Sequence, residues 1–341
     1  MPSKVNQMIL TEAVLKYLSG FPAHLEWHQR GLTGHHKKDH ANQEYQEAVI
    51  LMNEFLGSRE GQLKISDFST EVLSVCQELK KRSKDFIRVY LGPKKFYFIV
   101  GAMRSGGTYL FTECCKAHHI DYTQMNLQMV HDGVPSYANL VFWQQPPYYE
   151  KLLIELAQWL VWVKNVFTHH DVIVHKRIGL AHALPLWDHL FGDQAHYLVT
   201  LRHPLTSSES FARMEKLSTQ NEKLASPLLW EKFIPAKLGI KNSEWLKKNY
   251  FERFLDYWFI SYKDIISASP YKGHLAFIPY EKLSDYVLNE LKVSDSSPFM
   301  ITPYEPNPSW PHPDHVNKLF AVLNQLGTLM NLSFPKEMPL C

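Results

Sequence analysis

Four cysteines in 341 residues are too few and too unevenly placed for a disulfide framework: Cys114 adjoins Cys115, while Cys76 and Cys341 stand alone. No C-x-x-C pair exists to bind a metal or form a redox bridge, and a reducing compartment is the expectation. Charge of one sign is also lacking. The 36 basic and 34 acidic residues leave a formal net charge of +2, which gives no polyelectrolyte signature for a nucleic-acid partner. Any anion binding must therefore be local. Long apolar runs are missing: the most apolar stretch, Leu152 to Val163, contains Glu155 and Gln158 and is too short to span a bilayer, which marks it as a buried helix. Met1 to Glu12 lacks the unbroken apolar segment of a secretion signal and fits an amphipathic helix, so the expected location is cytoplasmic. Internal repeats and low-complexity tracts are absent too.

What is present is a composition 45% hydrophobic, enough for one large α/β domain or for a core domain with an appended smaller one. Over residues 1–90 the apolar spacing predicts helices at Val5 to Leu18, Gln43 to Leu56 and Thr70 to Lys81, an N-terminal helical extension. A polar loop between the first two carries His35, His36 and His40. A surface histidine cluster of this kind is a weak signal, and no metal is expected. Over residues 91–341 short apolar runs alternate with helical stretches, the pattern of βαβ units around a mainly parallel sheet. The expected strands are Phe96 to Val100, Val172 to His175, His196 to Leu201 and Leu275 to Pro279. Thr302 to Pro313 reads as an extended crossing before a last helix at Val316 to Leu329. Ligands gather at the carboxyl edge of such sheets, so chemistry is expected after the first three strands.

After the first of these strands comes Gly101-Ala-Met-Arg104-Ser-Gly106-Gly107-Thr108. Gly101, Gly106 and Thr108 keep the frame of the phosphate loop G-x-x-x-x-G-K-[ST], but Gly107 stands where the lysine belongs. That lysine reaches the β/γ-phosphates of ATP, so its absence points away from ATP. The start of the following helix, expected over Thr108 to Lys116, still favours a phosphate, and Arg104 is the nearest replacement cation. A second anion-binding pattern ends the strand His196 to Leu201: Arg202-His-Pro204 runs into a hydroxyl-bearing helix with Ser210.

Together these two segments resemble the cofactor motifs of the sulfotransferases that use 3′-phosphoadenosine 5′-phosphosulfate (PAPS). The family's G-x-x-R-S-G-[TS]-[ST] loop and its R-[DHN]-P with a serine eight positions on are matched at Arg104 to Thr108 and at Arg202 and Ser210. The segment Ala276-Phe-Ile-Pro-Tyr280-Glu281-Lys-Leu283 is similar to the strand and Y-E-D-L turn that follow. The resemblance covers about residues 94 to 285 and implies a P-loop-like three-layer α/β/α fold and PAPS as co-substrate, with no metal.

By this resemblance Ser105, Gly106, Gly107 and Thr108 wrap the 5′-phosphate and Arg104 neutralises the departing bridging oxygen. Tyr109 and Tyr280 flank the purine, and Arg202 and Ser210 hold the 3′-phosphate. Two departures stand out: Gly107 replaces a hydroxyl residue, and the R-K-G-x-x-G segment of the cytosolic branch has no counterpart after Tyr280. The K-T-H strand end of that branch appears only as Val174-His175-Lys176-Arg177, where Lys176 matches the lysine and Ile178 falls at the histidine position.

The acceptor's proton needs a base, and two candidates stand open. One is His175 at its strand end. The other is His131 with Asp132, in the loop Gln128 to Gly133 read as following a strand. Lys176 is expected to contact the cofactor or leaving group. Trp143, Tyr148, Tyr149 and Leu224 to Leu238, with Trp230, are candidate walls for a small-molecule, sugar or lipid acceptor. Two other functions compete: a non-catalytic nucleotide- or partner-binding protein on the same fold, and an atypical P-loop kinase, for which the loop lysine and a Mg²⁺-holding acidic strand end are not seen.

Overall fold

A computed structural model describes residues 57–83, 85–122, 127–214, 228–294, 299 and 313–330. The expected helices at Val5 to Leu18 and Gln43 to Leu56, the histidines of the polar loop and the crossing at Thr302 to Pro313 lie outside them, apart from its last residue.

The described chain opens with helices α1 (Arg59–Lys81) and α2 (Phe86–Leu91), followed by strand β1 (Lys95–Gly101) and helix α3 (Gly107–Ala117). Next come α4 (Tyr137–Val141), α5 (Pro146–Val166), β2 (Val172–Lys176), α6 (Leu184–Phe191) and β3 (Ala195–Leu201). Helices α7 (Pro204–Met214), α8 (Leu228–Leu238) and α9 (Tyr250–Ser267) precede β4 (His274–Pro279), and α10 (Leu283–Asn289) and α11 (Pro313–Leu329) follow it. The chain is thus α/β, mostly helical, with one four-stranded sheet among the described residues.

All strand pairs are parallel, in the order β2-β1-β3-β4. The register sets Ile99 beside Lys176, Gly101 beside Thr200 and Leu201 beside Pro279, so the carboxyl ends of all four strands share one edge. Because the chain leaves β1 for β2 on one side and later returns as β3 on the other, the order reverses beside β1. A crevice opens at such a switch point.

β1 is aromatic and β-branched through Phe96-Tyr-Phe-Ile-Val, and its side chains are buried almost without interruption, as a central parallel strand requires. Alternation sorts them to two faces. On one face Phe96 and Phe98 meet Phe191 of α6, with ring centres 4.9 and 5.0 Å apart, and Trp159 of α5. On the other, Tyr97 stacks on His118 at the end of α3 and on His196 of β3. Helices therefore cover both faces of the sheet.

Local signals explain the helix ends. Ser58 caps α1 by accepting the Gly61 amide at 3.0 Å, which starts the helix eleven residues before the expected Thr70. Asn249 and Glu252 cap α9 reciprocally: Asn249 Oδ1 accepts the Glu252 amide at 3.0 Å and Glu252 Oε2 accepts the Asn249 amide at 2.8 Å. Pro146 and Pro147 open α5, whose stretch Leu152 to Val163 is buried as expected. Its Glu155 is satisfied there by the Ser136 amide at 2.8 Å. Helix α1 lies along α5 through Lys164–Glu71 at 2.7 Å, and its Phe68, Val72, Val75 and Leu79 join the same hydrophobic core as the sheet. No helix among the described residues is long and apolar enough to cross a membrane.

Candidate functional site

The turn after β1 is fixed from beneath by the sheet and by α9. Tyr262 donates its hydroxyl to Thr200 O at 2.7 Å and accepts the Ala102 amide at 3.3 Å, tying the turn to β3. Tyr257 accepts the Met103 amide at 3.2 Å. Ser105 Oγ donates to Ala102 O at 2.6 Å and lies 2.7 Å from Thr200 Oγ1. At Gly101 (φ 144°) a Cβ would lie 2.5 Å from the Thr200 carbonyl oxygen, so only glycine lets the two strands approach. Arg104 holds a left-handed backbone at φ 63°, a conformation with a free-energy cost that functional turns often carry. From this turn α3 sets out, and its first amides have no partner within the helix.

The turn forms the floor of a cavity of about 520 Å³. The segment after β3 makes one wall. Arg202, 4% exposed, donates from Nε to Thr206 Oγ1 at 3.1 Å and from Nη1 to the Arg104 carbonyl at 3.2 Å. Its guanidinium lies 4.0 Å from the centre of the Tyr280 ring, and its own carbonyl accepts Trp258 Nε1 at 3.0 Å. Arg104 Nε donates to Ser210 Oγ at 3.1 Å. Arg104 therefore shares one cleft with Arg202 and Ser210, which lie 98 and 106 residues further along the chain.

An aromatic cluster adjoins the two arginines. Phe299 lies between Tyr109 and Tyr280, with ring centres 4.6 and 4.7 Å away.

The opposite wall comes from β2 and the loop beside it. Lys176 Nζ pairs with Asp132 Oδ2, and Asp132 Oδ1 accepts the Ile178 amide at 3.2 Å. A Cβ on Gly107 would lie 3.1 Å from Lys176 Cε, so the glycine leaves room for a lysine from the neighbouring strand. Thr108 Oγ1 lies 3.1 Å from His131 Nε2, and His131 Nδ1 lies 3.6 Å from Asp132 Oδ2. Burial, with Lys176 alongside, holds the His131 imidazole down at about 4. Burial alone would raise the Asp132 carboxyl, but Lys176, His131 and Arg177 hold it well below the usual carboxylate range.

The cavity thus gathers Arg104, Ser105, Gly106, Gly107, Thr108, Tyr109, His131, Lys176, Arg202, Ser210 and Tyr280. It does not gather His175. That ring lies on the far side of the sheet against Trp159, 4.9 Å between centres, and its Nε2 donates to Val134 O at 3.0 Å. Consecutive strand residues point to opposite faces, and Lys176 takes the cavity side. The structure thus places His175 apart from Arg104, His131 and Lys176, the other candidates for catalysis. At the start of the loop read as following a strand, Leu127–Val130 is a helical turn and His131 makes an isolated bridge to Lys176; residues 123–126, just before it, lie outside the described residues. Trp143 donates to His182 O at 2.9 Å, Tyr148 packs on Phe142, and Tyr149 accepts Arg82 Nε at 3.3 Å; none of the three lines the cavity. The Trp230 side chain and residues 224–227 lie outside what is described.

Several contributors escaped the sequence reading. Tyr257 and Tyr262 sit on a helix whose N-x-x-E start at Asn249 is a capping-box signal. Phe299 carried no motif.

Three buried histidines set a pH dependence. His131, His175 and His203 are held near 4, 3 and 4, against an ordinary value of 6.5, with burial the leading cause in each. Below 6.5 the unfolded chain takes up protons that the folded chain refuses, so this stability is complete above that pH and is lost as pH falls toward 4. Each group contributes about 1.4 kcal/mol per pH unit across that window. Urea midpoints are expected to fall steadily from pH 7 to pH 4.5; a flat profile would contradict the burial of these rings.

Comparisons of the chain with models of protein families, with curated proteins and with solved structures returned no match.

Proposed function

We propose that the cavity binds PAPS and that the protein is a sulfotransferase on a P-loop-like three-layer α/β/α fold, acting on a hydroxyl or amine acceptor. The observation that carries this reading is the meeting of the two anion-binding segments in one cleft, through Arg104–Ser210 and Arg202–Arg104. A nucleotide with a 5′-phosphosulfate and a 3′-phosphate needs two anion sites and an aromatic surface for its base beside them. Arg202, Arg104 and Ser210 supply one site, the start of α3 with Lys176 supplies the other, and the cluster of Tyr109, Phe299 and Tyr280 offers the aromatic surface.

PAPS supplies an activated sulfuryl group whose bond to the 5′-phosphate oxygen breaks as the acceptor attacks. The chain's part is to hold the charge left on that oxygen. Lys176 over Gly107 and the first amides of α3 converge where this charge develops. Arg104, assigned that role by the resemblance alone, reaches toward Ser210 here, which favours a place at the 3′-phosphate end. His131 lines the cavity with Asp132 beside its Nδ1, and Nε2 is the atom positioned to take the acceptor's proton.

Thermal melting tests the reading. A ligand that binds only the folded chain at a hundred times its Kd adds about 2.7 kcal/mol, or roughly 2–4 °C for a chain of this size. 3′,5′-Bisphosphoadenosine is expected to give such a shift and ATP with Mg²⁺ a smaller one; the reverse order would favour a kinase. Labelled donor with phenols, sugars, amines and lipids then identifies the acceptor, and bisphosphate binding without any transfer would favour a non-catalytic nucleotide-binding protein.

A further inference from the structure

A carboxylate facing an anion-binding cavity calls for an explanation, because it repels the ligand the cavity is built to hold. Asp132 is such a group. It is partly exposed and held in a left-handed backbone at φ 54°. The Asp132 amide donates to Lys176 O at 2.8 Å, while Arg177 donates to the Asp132 carbonyl. These bonds fix the backbone of Asp132 against the end of β2, so its carboxylate stays within reach of both Lys176 and His131. One carboxylate oxygen takes the Ile178 amide, and the other is shared between the Lys176 ammonium and, at 3.6 Å, His131 Nδ1.

The same carboxylate therefore has two possible partners, a lysine that overlies the start of α3 and a histidine that touches Thr108. It engages the lysine. An ammonium beside the positive end of a helix is repelled by it, and without a counter-charge Lys176 would swing away from Gly107. An incoming phosphate supplies a better counter-charge, because the α3 amides bind it as well.

Resting on the nucleotide reading above, we infer that Asp132 is the positioning residue of this site. Before an anion binds it holds Lys176 over Gly107; when the phosphate takes Lys176, its carboxylate turns to His131 Nδ1 and orients that ring for the acceptor. Asp132 thus weakens donor binding and strengthens turnover. No covalent step involves it.

The test compares wild type with Asp132→Asn, which keeps the shape, accepts the Ile178 amide and tolerates the left-handed backbone. Removing one like charge from a partly solvated site is expected to tighten 3′,5′-bisphosphoadenosine about tenfold in calorimetry. With labelled donor, KM is expected to fall and kcat to drop about tenfold or more, since the variant lacks the charge that orients His131. A residue with only a structural role would move neither in this opposed way. Equal or weaker binding by Asp132→Asn, with wild-type binding intact, overturns the inference and spares the nucleotide reading. Failure of the wild type to bind the bisphosphate removes both. A readout without substitution is a crystal of the wild type with bisphosphate: Lys176 Nζ is expected on a phosphate oxygen, and Nζ still on Asp132 would refute the exchange.

Discussion

Lys176→Met is expected to lower sulfuryl transfer about 10³-fold while weakening 3′,5′-bisphosphoadenosine by only about 10- to 30-fold. Charge that appears only as the bond breaks is stabilised by groups already in place, and removing one such group costs about 10²–10³ in kcat. The smaller loss of affinity reflects a cation that the bound phosphate also uses. Lys176 is buried and paired with Asp132, so the single substitution leaves a carboxylate without its partner. The double variant Asp132→Asn with Lys176→Met removes both charges, and it is expected to melt near the wild type while being at least as slow as the single variant. Arg104→Ala provides the contrast. Its Nε engages Ser210, so affinity is expected to suffer more than turnover. If Arg104→Ala abolishes transfer with binding intact, and Lys176→Met does not, the two cations have the opposite roles, those implied by the resemblance alone.

Arg202→Ala is expected to weaken bisphosphate binding by about 10²-fold or more and to erase the thermal shift. A buried guanidinium with hydrogen bonds directed to a phosphate contributes more than a surface charge, since charge-assisted bonds are stronger and little water competes. Arg202 also lies over Tyr280 and binds the Arg104 carbonyl, so its loss disturbs both the aromatic cluster and the turn. Arg202→Lys tests which property matters. Lysine restores the charge without the planar fork or the stacking, and it is expected to recover less than a tenth of the affinity. Calorimetry on the three proteins decides it: wild-type affinity in Arg202→Ala would mean that the second motif holds no phosphate.

The two segments on which these predictions rest were legible in the amino-acid order. Central parallel strands read as unbroken apolar runs, and Phe96 to Val100 and His196 to Leu201 are such runs, so their ends were placed within one residue or so. Helix α9 was missed although Asn249 and Glu252 announce its start and its apolar residues segregate to one face. The choice between His175 and Lys176 was not legible at all. Adjacent residues in a strand differ only in the face they take, and which face the cavity occupies depends on where α3 packs.

By itself the order of residues determined the strand, turn and helix at Gly101 to Thr108, and the spacing of Arg202 and Ser210, since backbone freedom, capping and apolar period act over a few neighbours. Only the tertiary structure decided that Arg104 meets Ser210, that Lys176 fills the room left at Gly107, and that Phe299 packs between Tyr109 and Tyr280. Those contacts join segments far apart in the chain. They exist because the parallel order β2-β1-β3-β4 brings the loops after all four strands to one edge, which no local pattern specifies.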